Sequence, residues 1–546
     1  MESNNNSQLL TLAHSPVDIA VLAQELTDYP CKNDKEILLD GFRYGFRIPY
    51  HGSREQRLSK NHGTALKQPD IVWKKLSEEI KLGRVAGPFQ NIPIDNLIVS
   101  PIGLVPKSSP EEYRLIFDLS YPQSASINAG ILREDSSVSY TKFDEVVHMI
   151  RQEGKGLFLF KVDIKSAFRL LPIHIQDFAL LGMKFQDQFY IDKCLPFGLS
   201  LSCALFEKFS CFLEWHIKRI SGSKFIINYL DDFCGCKKNQ EEAGSTLEKT
   251  LLAFSNLGVP VAPEKVEGPV TCLKFLGLEV DTVAMQVRIP KDKLEDLREN
   301  ITFVLNKAER KITLRELQSL IGKLNFACKA ILPGRAFCRR LIDATIGVKK
   351  PFHRIKVSAS MVKDLLTWQS FLDNHNGASM MIDESNKVLD LFTDASGSLG
   401  FGAFFAGHWT NAPWPSRILE EKALKKDITY KELFPIVLSV LLWGHRFSNS
   451  RVTFHCDNEA VVSIINKQST SHKRSMGLVR LLVYFCLSHN IVFKARHIPG
   501  KDNDIADALS RLQLKKFEAL APRGADKVRT EIPVAIWNKL LAKLDG

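Results

Sequence analysis

Two adjacent aspartates, Asp231 and Asp232, stand between two apolar runs in the stretch FIINYLDDFCGC (225–236). Apolar runs on both sides of a polar pair predict a short β-hairpin with the two carboxylates at its tip. Charge on buried strands is costly unless a cation compensates it, and a divalent metal ion suits two carboxylates. An Asp-Asp pair between strands is by itself more typical of a turn, so the metal hypothesis depends on acids elsewhere in the chain.

A third acid ends another apolar run. Asp163 closes the near-continuous apolar strand at the start of LFLFKVDIKSAFRLLPIH (157–174). An ionised carboxylate at the end of a buried strand again needs a cation nearby. Asp163, Asp231 and Asp232 on neighbouring strands form the arrangement that holds two Mg²⁺ ions for phosphoryl transfer.

The elements around these acids follow from the pattern. The runs LIVSPIGLVPK (97–107) and EYRLIFDLS (112–120) predict two strands, and Lys107 and Arg114 flank the polar turn between them. Both cations could reach a phosphate, and a solvated hairpin tip is the alternative. The turn LPFG (195–198) then opens a long apolar helix before the Asp-Asp hairpin.

Four further acids are spread over the last part of the chain. They come from two predicted strand ends, Asp394 and Asp457, and from two predicted helices, Glu432 and Asp507. His497 stands on a predicted loop before the last of these helices. Acids from separate elements can act together only if a sheet brings them to one place.

The composition limits the class of protein. The 546 residues suffice for about three or four domains. The net charge of +12 favours a polyanionic partner, either nucleic acid or an anionic membrane. No apolar run reaches the roughly 18 residues of a membrane span, and the N-terminus lacks a secretory pattern. The 11 cysteines contain no CxxC pair, which predicts reduced, buried thiols in an intracellular protein.

The order of the first set of motifs resembles the polymerase core of reverse transcriptases. The matching order is the strand-ending Asp163, the LPFG turn, YLDD (229–232) and FLGLEVD (275–281). The resemblance implies a right-hand polymerase in which Asp163, Asp231 and Asp232 are the catalytic metal ligands. The same resemblance implies that Lys107 and Arg114 clamp the triphosphate and that Phe168 is an aromatic gate against ribonucleotides. It further implies that Phe197 and Gly198 line the templating pocket and that Tyr229, the tyrosine of YLDD, binds substrate.

The second set of acids resembles ribonuclease H, which applies two-metal hydrolysis to the RNA strand of a hybrid. The resemblance implies four catalytic metal ligands, Asp394, Glu432, Asp457 and Asp507, with His497 assisting proton transfer or product release. Asp504 competes with Asp507 for the fourth place, and the ADALSR context and the spacing from His497 favour Asp507. Each site is expected to use two Mg²⁺ ions, with Mn²⁺ as a substitute.

We therefore predict an α+β multidomain chain, with a right-hand polymerase (palm, fingers and thumb) followed by a ribonuclease H-like α/β domain. The thumb and connection region is predicted to be helical with a basic face, which suits a duplex backbone, and a merely solvated surface is the alternative. The predicted domains are an N-terminal extension (1–69), fingers and palm (70–285), thumb and connection (286–386), ribonuclease H (387–514) and a basic C-terminal tail (515–546).

A polymerase core followed by ribonuclease H indicates a retroelement protein. The phrases GPF (87–89) and HIPGKDNDIADALSRL (497–512) resemble DIRS-type retrotransposons, with Gypsy-type elements as second choice. The expected enzyme copies RNA into DNA and degrades the RNA of the hybrid. Its expected partners are RNA and DNA template/primer, the RNA–DNA hybrid and deoxynucleoside triphosphates, without a membrane, in the cytoplasm or the nucleus. A catalytically silent, domesticated nucleic-acid-binding protein is the alternative, and the oligomeric state stays open.

Overall fold

The computed structural model describes residues 10–106, 112–307, 311–374, 378–379, 388–448, 450–489 and 491–542. The chain divides into two compact units. Unit 1 comprises Met1–Leu276 and Asp281–Ala284, and unit 2 comprises Gly277–Val280 and Met285–Gly546. Each unit combines helices with β-sheets, so the predicted α+β multidomain fold class is confirmed. No helix among the described residues is long and apolar enough to cross a membrane.

Unit 1 alternates short strands with helices. Its described helices are α1 (Ile19–Glu25), α2 (Lys32–Tyr44), α3 (Gly63–Lys67), α4 (Pro69–Lys81), α5 (Arg133–Ser136), α6 (Phe143–Glu153), α7 (Ser200–Ser221) and α8 (Gln240–Asn256). Its strands are β1 (Arg57–Leu58), β2 (Val85–Phe89), β3 (Ile98–Val99), β4 (Ile102–Pro106), β5 (Tyr113–Phe117), β6 (Phe158–Asp163), β7 (Gly182–Phe185), β8 (Gln188–Asp192), β9 (Ile226–Tyr229), β10 (Asp232–Lys237), β11 (Glu267–Val270) and β12 (Cys272–Phe275).

Three sheets of unit 1 position its acids and their neighbours. One has five strands in the order β1-β3-β7-β8-β2, and another is the β4-β5 hairpin. The third has four strands in the order β11-β6-β10-β9, all paired antiparallel. The central strands β6 and β10 of this third sheet carry aspartates at adjoining ends.

The N-terminal stretch, to which the sequence assigned no chemistry, packs into the same core as the rest of unit 1. Leu22 of α1 and Phe42 of α2 are buried in that core. The buried carboxylate of Asp177 accepts hydrogen bonds from Arg47 Nε at 2.7 Å and from Ile48 N at 3.0 Å. Because residues of this stretch supply hydrogen bonds to the buried carboxylate of Asp177, residues 10–58 are an integral part of unit 1.

Unit 2 has a mainly helical first part and a second part that contains a five-stranded sheet. Its strands are β13 (Leu278–Asp281, whose last residue falls in unit 1), β14 (Gln286–Arg288), β15 (Lys311–Thr313), β16 (Arg354–Lys356), β17 (Ala378–Ser379), β18 (Val388–Ala395), β19 (Gly400–Phe405), β20 (His408–Pro413), β21 (Arg451–Cys456) and β22 (Val492–His497). Its described helices are α9 (Lys291–Asn306), α10 (Leu314–Ala327), α11 (Arg339–Asp343), α12 (Ala359–Asn374), α13 (Ser416–Glu420), α14 (Lys422–Lys425), α15 (Ile428–Phe447), α16 (Glu459–Lys467), α17 (Lys473–Ser488), α18 (Asp504–Ser510), α19 (Leu514–Leu520) and α20 (Val534–Leu541).

The large sheet of unit 2 has the order β20-β19-β18-β21-β22. Strands β18, β19 and β20 pair antiparallel, whereas β21 runs parallel to both β18 and β22. Parallel neighbours end at the same edge of a sheet, so the carboxyl ends of β18, β21 and β22 lie side by side. This edge is where the second set of acids meets.

The C-terminal tail, which the sequence marked only as basic, folds onto this sheet. Phe517 of α19 lies 4.6 Å from Trp409 between ring centroids, and Trp537 of α20 lies 5.9 Å from Phe401. Thr530 N donates to Trp409 O at 2.8 Å. The aromatic contacts explain why these residues are ordered on unit 2 although their charge pattern gave no sign of it.

Candidate active sites

The three predicted carboxylates of unit 1 lie at the adjoining ends of two paired strands. Asp163 ends β6 and pairs in register with Asp232, the first residue of β10. Asp231 stands in the turn between β9 and β10, where Leu230 has a left-handed φ of 52°. Ile164 N donates to Asp231 O at 3.0 Å. Asp163 precedes the other two acids by almost 70 residues in sequence. The strand register and this turn bring all three into one cluster.

Helix α7 holds the turn from behind. The carboxylate of Glu207 accepts from Leu230 N at 3.3 Å and from Asn228 Nδ2 at 3.1 Å. Ser210 Oγ donates to Leu230 O. Burial raises the pKa of Glu207. Neither residue was singled out in the sequence, since a polar residue on an apolar helix gives no sign of the loop that it supports.

Burial and, after it, crowded negative charge raise the pKa values of Asp231 and Asp232. Burial, the charges of Asp231 and Asp163 and a hydrogen bond to Asp163 raise the pKa of Asp232 to about 7. Burial, reinforced by the charge of Asp163, raises the pKa of Asp231. Lys265 Nζ lies 2.8 Å from both carboxylate oxygens of Asp163, a cation at the cluster that the sequence did not indicate. The oxygen donors and their mutual repulsion fit a divalent cation.

A cationic and aromatic wall lies beside this cluster. The guanidinium of Arg114, on β5, stacks over the Phe197 ring with 5.3 Å to its centroid. Both residues line a cavity of about 340 Å³. The positive charge of Arg114 acts on Asp231 and opposes the rise of its pKa. Arg114 thus combines a position near the acids with a face open to a ligand, as a phosphate clamp requires.

The remaining predicted substrate-binding residues differ in how far the structure describes them. Phe168 is half-buried, and its ring centroid lies 5.2 Å from that of Phe197. Tyr229 ends β9 opposite Asp232, and its ring lies 5.2 Å from Tyr140. Lys107 lies outside the described residues.

Gly198 has a conformation that excludes side chains. Its φ is +112°, and a Cβ at this position would lie 2.1 Å from Phe117 O. We expect Gly198→Ala to lower the free energy of unfolding of unit 1 by more than about 2 kcal/mol, because backbone atoms must move. Hydrogen–deuterium exchange of α7 peptides under increasing urea measures the change.

Gly244→Ala is the matched control for this substitution. Gly244 lies inside α8, and its added Cβ would meet only Pro269 Cγ at 3.8 Å. Alanine in a helix interior is favoured over glycine by about 1 kcal/mol, so this variant should be as stable as the wild type or more stable. Equal stability of the Gly198 and Gly244 variants would contradict the clash at Gly198.

The structure gathers the second set of acids at one edge of the large sheet. Asp394 lies near the end of β18, and Asp457 directly follows the parallel strand β21. Glu432 projects from the first turns of α15 and is 4% exposed. Asp507 lies on α18. The charges of Asp457 and Asp507 both act on Asp394, which shows that the acids form one electrostatic cluster.

Burial dominates the titration of this cluster. It raises the pKa of Glu432 to about 9, and the charges of Asp394 and Asp457 add to the rise. Burial likewise raises the pKa of Asp394 to about 6, against a hydrogen bond that Ser510 Oγ donates to its carboxylate. Acids with such shifted pKa values in one place mark a candidate cation site.

Asp507 is held differently from the other three acids. Burial alone would raise its pKa, but hydrogen bonds from Arg511 and Lys516 lower it. Arg511 Nε lies 2.6 Å from one carboxylate oxygen, and Lys516 Nζ lies 3.3 Å from the other. Asp504, its competitor, is exposed at the start of α18. The structure therefore favours Asp507 as the fourth acid of the cluster.

His497 lies on a strand, so its predicted position on a loop is wrong. It is the exposed last residue of β22 and pairs with Cys456 in the neighbouring strand. The parallel ladder with β21 continues as far as His497. The position before Pro499 favours extended backbone, and Val492 and Phe493 favour a strand. The exposed imidazole stands at the same sheet edge as the acids.

Cys456 is a further residue of this cluster that the sequence reasoning passed over. One ligand atom from each of Glu432, Cys456 and Asp457 lies within 4.8 Å of the others, the one such group of three among the described residues. Its only sequence signal was its place immediately before Asp457. The carboxylates Asp394, Glu432 and Asp457 also fit a divalent cation, since hard oxygen donors are what Mg²⁺ and Mn²⁺ take.

One comparison with known proteins concerns the residues around the first acidic cluster. The family model described as "Reverse transcriptase (RNA-dependent DNA polymerase)" matches residues 105–280. This range contains Asp163, Asp231 and Asp232. Residues 105–280 are therefore similar to the reverse transcriptase family, whose members generally use divalent metal ions.

Sequence relatives include the transposon Tf2-7 polyprotein and the transposon Tf2-3 polyprotein of Schizosaccharomyces pombe (strain 972 / ATCC 24843). Each is 22% identical to this chain over 373 residues, which are 66% of this chain and 26% of the relative. The chain thus spans about a quarter of the length of these relatives. These relatives are retrotransposon polyproteins, and they lend no support to the DIRS-type assignment.

One similar solved structure is that of the foamy viral protease-reverse transcriptase dRH in complex with ds DNA. It aligns with a TM-score of 0.50 at 15% sequence identity and covers 88% of this chain and 82% of that chain. At this identity the likeness shows the fold alone. The predicted polymerase fold followed by a ribonuclease H-like α/β domain is confirmed at that level.

Proposed function

We propose that this chain is an RNA-directed DNA polymerase with ribonuclease H activity, which copies retroelement RNA into DNA and degrades the RNA of the resulting hybrid. The observation that carries the proposal is the pairing of Asp163 with Asp232 at the YLDD turn within the range that matches reverse transcriptases. Its partners are RNA and DNA template/primer, RNA–DNA hybrid and deoxynucleoside triphosphates. The net charge of +12 supports binding to these polyanions.

In the polymerase site, the cluster of Asp163, Asp231 and Asp232 holds divalent ions, with Mg²⁺ as the proposed ion and Mn²⁺ as a substitute. Arg114, whose guanidinium is fixed over Phe197, orients the triphosphate together with Lys107. Gly198 and Phe197 border the template base, and Tyr229 is a further proposed substrate-binding residue. Glu207 and Ser210 keep the turn rigid, which preserves the distance between the carboxylates.

In the hydrolytic site, Asp394, Glu432, Asp457 and Asp507 are the proposed ligands. Bound Mg²⁺ ions at either site supply an activated oxygen nucleophile and neutralise charge on the leaving group. Arg511 and Lys516 hold Asp507 ionised and oriented. His497, exposed at the same sheet edge, is placed to move a proton or assist product release.

Phe168 is the proposed gate against ribonucleotides. We expect Phe168→Ala to lower the preference for deoxynucleotides over ribonucleotides by about 10- to 100-fold, because the ring no longer crowds a 2′-hydroxyl. Single-nucleotide primer extension with dNTP and rNTP measures the ratio of kcat/KM values. Phe303→Ala, an exposed phenylalanine of unit 2, is the control and should keep the wild-type ratio. An unchanged ratio in the Phe168 variant would show that Phe168 is not the gate. Ribonucleotide incorporation by the wild type would favour an RNA-only polymerase.

The alternative function is a catalytically silent, domesticated protein that only binds nucleic acid. The presence of all seven predicted ligand acids speaks against it, since decay removes such acids without affecting the fold. Primer extension on poly(rA)/oligo(dT) with Mg²⁺ separates the two proposals. Binding of the template/primer without extension would establish the silent protein.

The type of element and the cellular location are finer proposals. The DIRS-type assignment rests only on sequence phrases such as HIPGKDNDIADALSRL, and a Gypsy-type element is the alternative. An intracellular place of action, in the cytoplasm or the nucleus, follows from the nucleic-acid substrates of the proposed reaction.

A further inference from the structure

Cys456 distinguishes the acidic cluster of unit 2 from a set of carboxylates alone. It is fully buried at the end of β21, and its Sγ lies 3.9 Å from Glu432 Oε2. Asn458 N donates to the same sulfur at 3.5 Å. This N–H favours negative charge on the sulfur, whereas burial and the charge of Glu432 raise the pKa of the Cys456 thiol, so a cation is needed to hold the thiolate.

The charge around this thiol favours a cation. Neither Glu432 nor Asp457 forms an ion pair with a basic side chain in the part of the chain that the structure describes, whereas Asp507 has two such partners. Glu432 is buried, so its ionised form needs a positive charge from elsewhere. Asp457 is the least buried of the three and opens the group to solvent.

The geometry suits a tetrahedral ion with one sulfur and two oxygen ligands. Donor atoms around zinc lie about 3.5 Å apart, given bond lengths of about 2.0 to 2.3 Å. The ligand atoms of Glu432, Cys456 and Asp457 already lie within 4.8 Å of one another, so small side-chain rotations complete the site. A fourth place remains for water. Mg²⁺ requires oxygen ligands and gains nothing from the thiol, whereas Zn²⁺ and Cd²⁺ do.

We propose that Glu432, Cys456 and Asp457 form a site for a thiophilic divalent cation, Zn²⁺ in the cell, and that its occupation switches off hybrid cleavage. The metal–sulfur bond forms as the thiol releases its proton to solvent. Zn²⁺ would then hold two of the acids that Mg²⁺ needs. The inhibitory part rests on the proposed ribonuclease H function, whereas the binding part does not.

Binding is tested on the full chain with Cd²⁺ as the probe, by the ultraviolet absorption of the cadmium–thiolate bond. We expect a band in the wild type that is lost in Cys456→Ser and weakened by excess Mg²⁺ in the wild type. Cys486→Ser is the matched control, since Cys486 is buried in α17 and, among the residues that the structure describes, belongs to no group of metal-ligating side chains. If Cys456→Ser does not fold by circular dichroism, Cys456→Ala replaces it, and the Mg²⁺ competition in the wild type stands without any variant.

Inhibition is tested by hybrid cleavage in Mg²⁺ with increasing Zn²⁺. We expect wild type and Cys486→Ser to be inhibited at Zn²⁺ concentrations about 10-fold or more below those that inhibit Cys456→Ser, because the thiolate is the ligand specific to zinc. Equal bands in all three proteins, or equal inhibition, would overturn the proposal. A Cys456-dependent band in a chain that cleaves no hybrid would retain the cation site and reject the ribonuclease H function. Hybrid cleavage together with a band that does not depend on Cys456 would retain the ribonuclease H function and reject the cation site.

Discussion

Asp231→Asn is expected to lower primer extension on poly(rA)/oligo(dT) with Mg²⁺ by more than about 1,000-fold, which corresponds to about 4 kcal/mol of transition-state stabilisation. The substitution keeps the shape of the side chain and removes a negative charge from the cluster with Asp163 and Asp232. The effect should appear in kcat, because binding of template/primer depends on basic surface rather than on these acids. Steady-state extension and a separate binding titration measure both quantities.

Asp187→Asn is the matched control for this experiment. Asp187 also stands in a hairpin turn of unit 1, between β7 and β8, and its side chain is 96% exposed and pairs with Lys184. It should extend primers at the wild-type rate. Similar rates for wild type and Asp231→Asn would show that the polymerase assignment is wrong. Among the three acids we expect Asp163→Asn to be as severe and Asp232→Asn to be tolerated best.

The second large effect is expected at the other site. Asp394→Asn should reduce cleavage of the RNA strand of an RNA–DNA hybrid by more than about 1,000-fold while primer extension continues at the wild-type rate. The negative charges of Asp394, Asp457 and Asp507 interact, so the loss of the Asp394 charge weakens cation binding by the whole cluster. Gel analysis of a labelled hybrid and the extension assay on the same preparation measure the two activities.

Asp390→Asn is the control on the same strand. Asp390 is exposed on β18, and its carboxylate lies 2.8 Å from His455 Nε2. This variant should cleave the hybrid at the wild-type rate. If Asp394→Asn keeps its cleavage activity, the hydrolytic site is not where we propose it. If both activities fall together, a folding defect rather than the loss of a ligand is the cause.

Several elements were predictable because their signals are local. The apolar run before Asp163 and the apolar runs around Asp231 and Asp232 define strands, and the structure has them as β6, β9 and β10. The helix predicted to carry Glu432 is likewise present, as α15. Periodicity and turn residues act within a few residues of each other, so the sequence carries them directly.

Other features depend on partners that are distant in sequence. The folding of residues 10–58 and of the C-terminal tail onto their units depends on packing, such as that of Trp537 on Phe401, which no charge or periodicity pattern reveals. The position of His497 on β22 depends on pairing with Cys456, a neighbour in the sheet alone. Tertiary contact overrides local preference at such places.

By itself, the sequence determined which acids could act and in what order they follow. It did not determine what surrounds them. Only the tertiary structure brought Lys265 to 2.8 Å from Asp163, the helix residue Glu207 under the YLDD turn, and the thiol of Cys456 beside Glu432. The physical reason is that charge, burial and ligand geometry are set by distances in space, and residues on different strands and helices acquire those distances only when the sheets form.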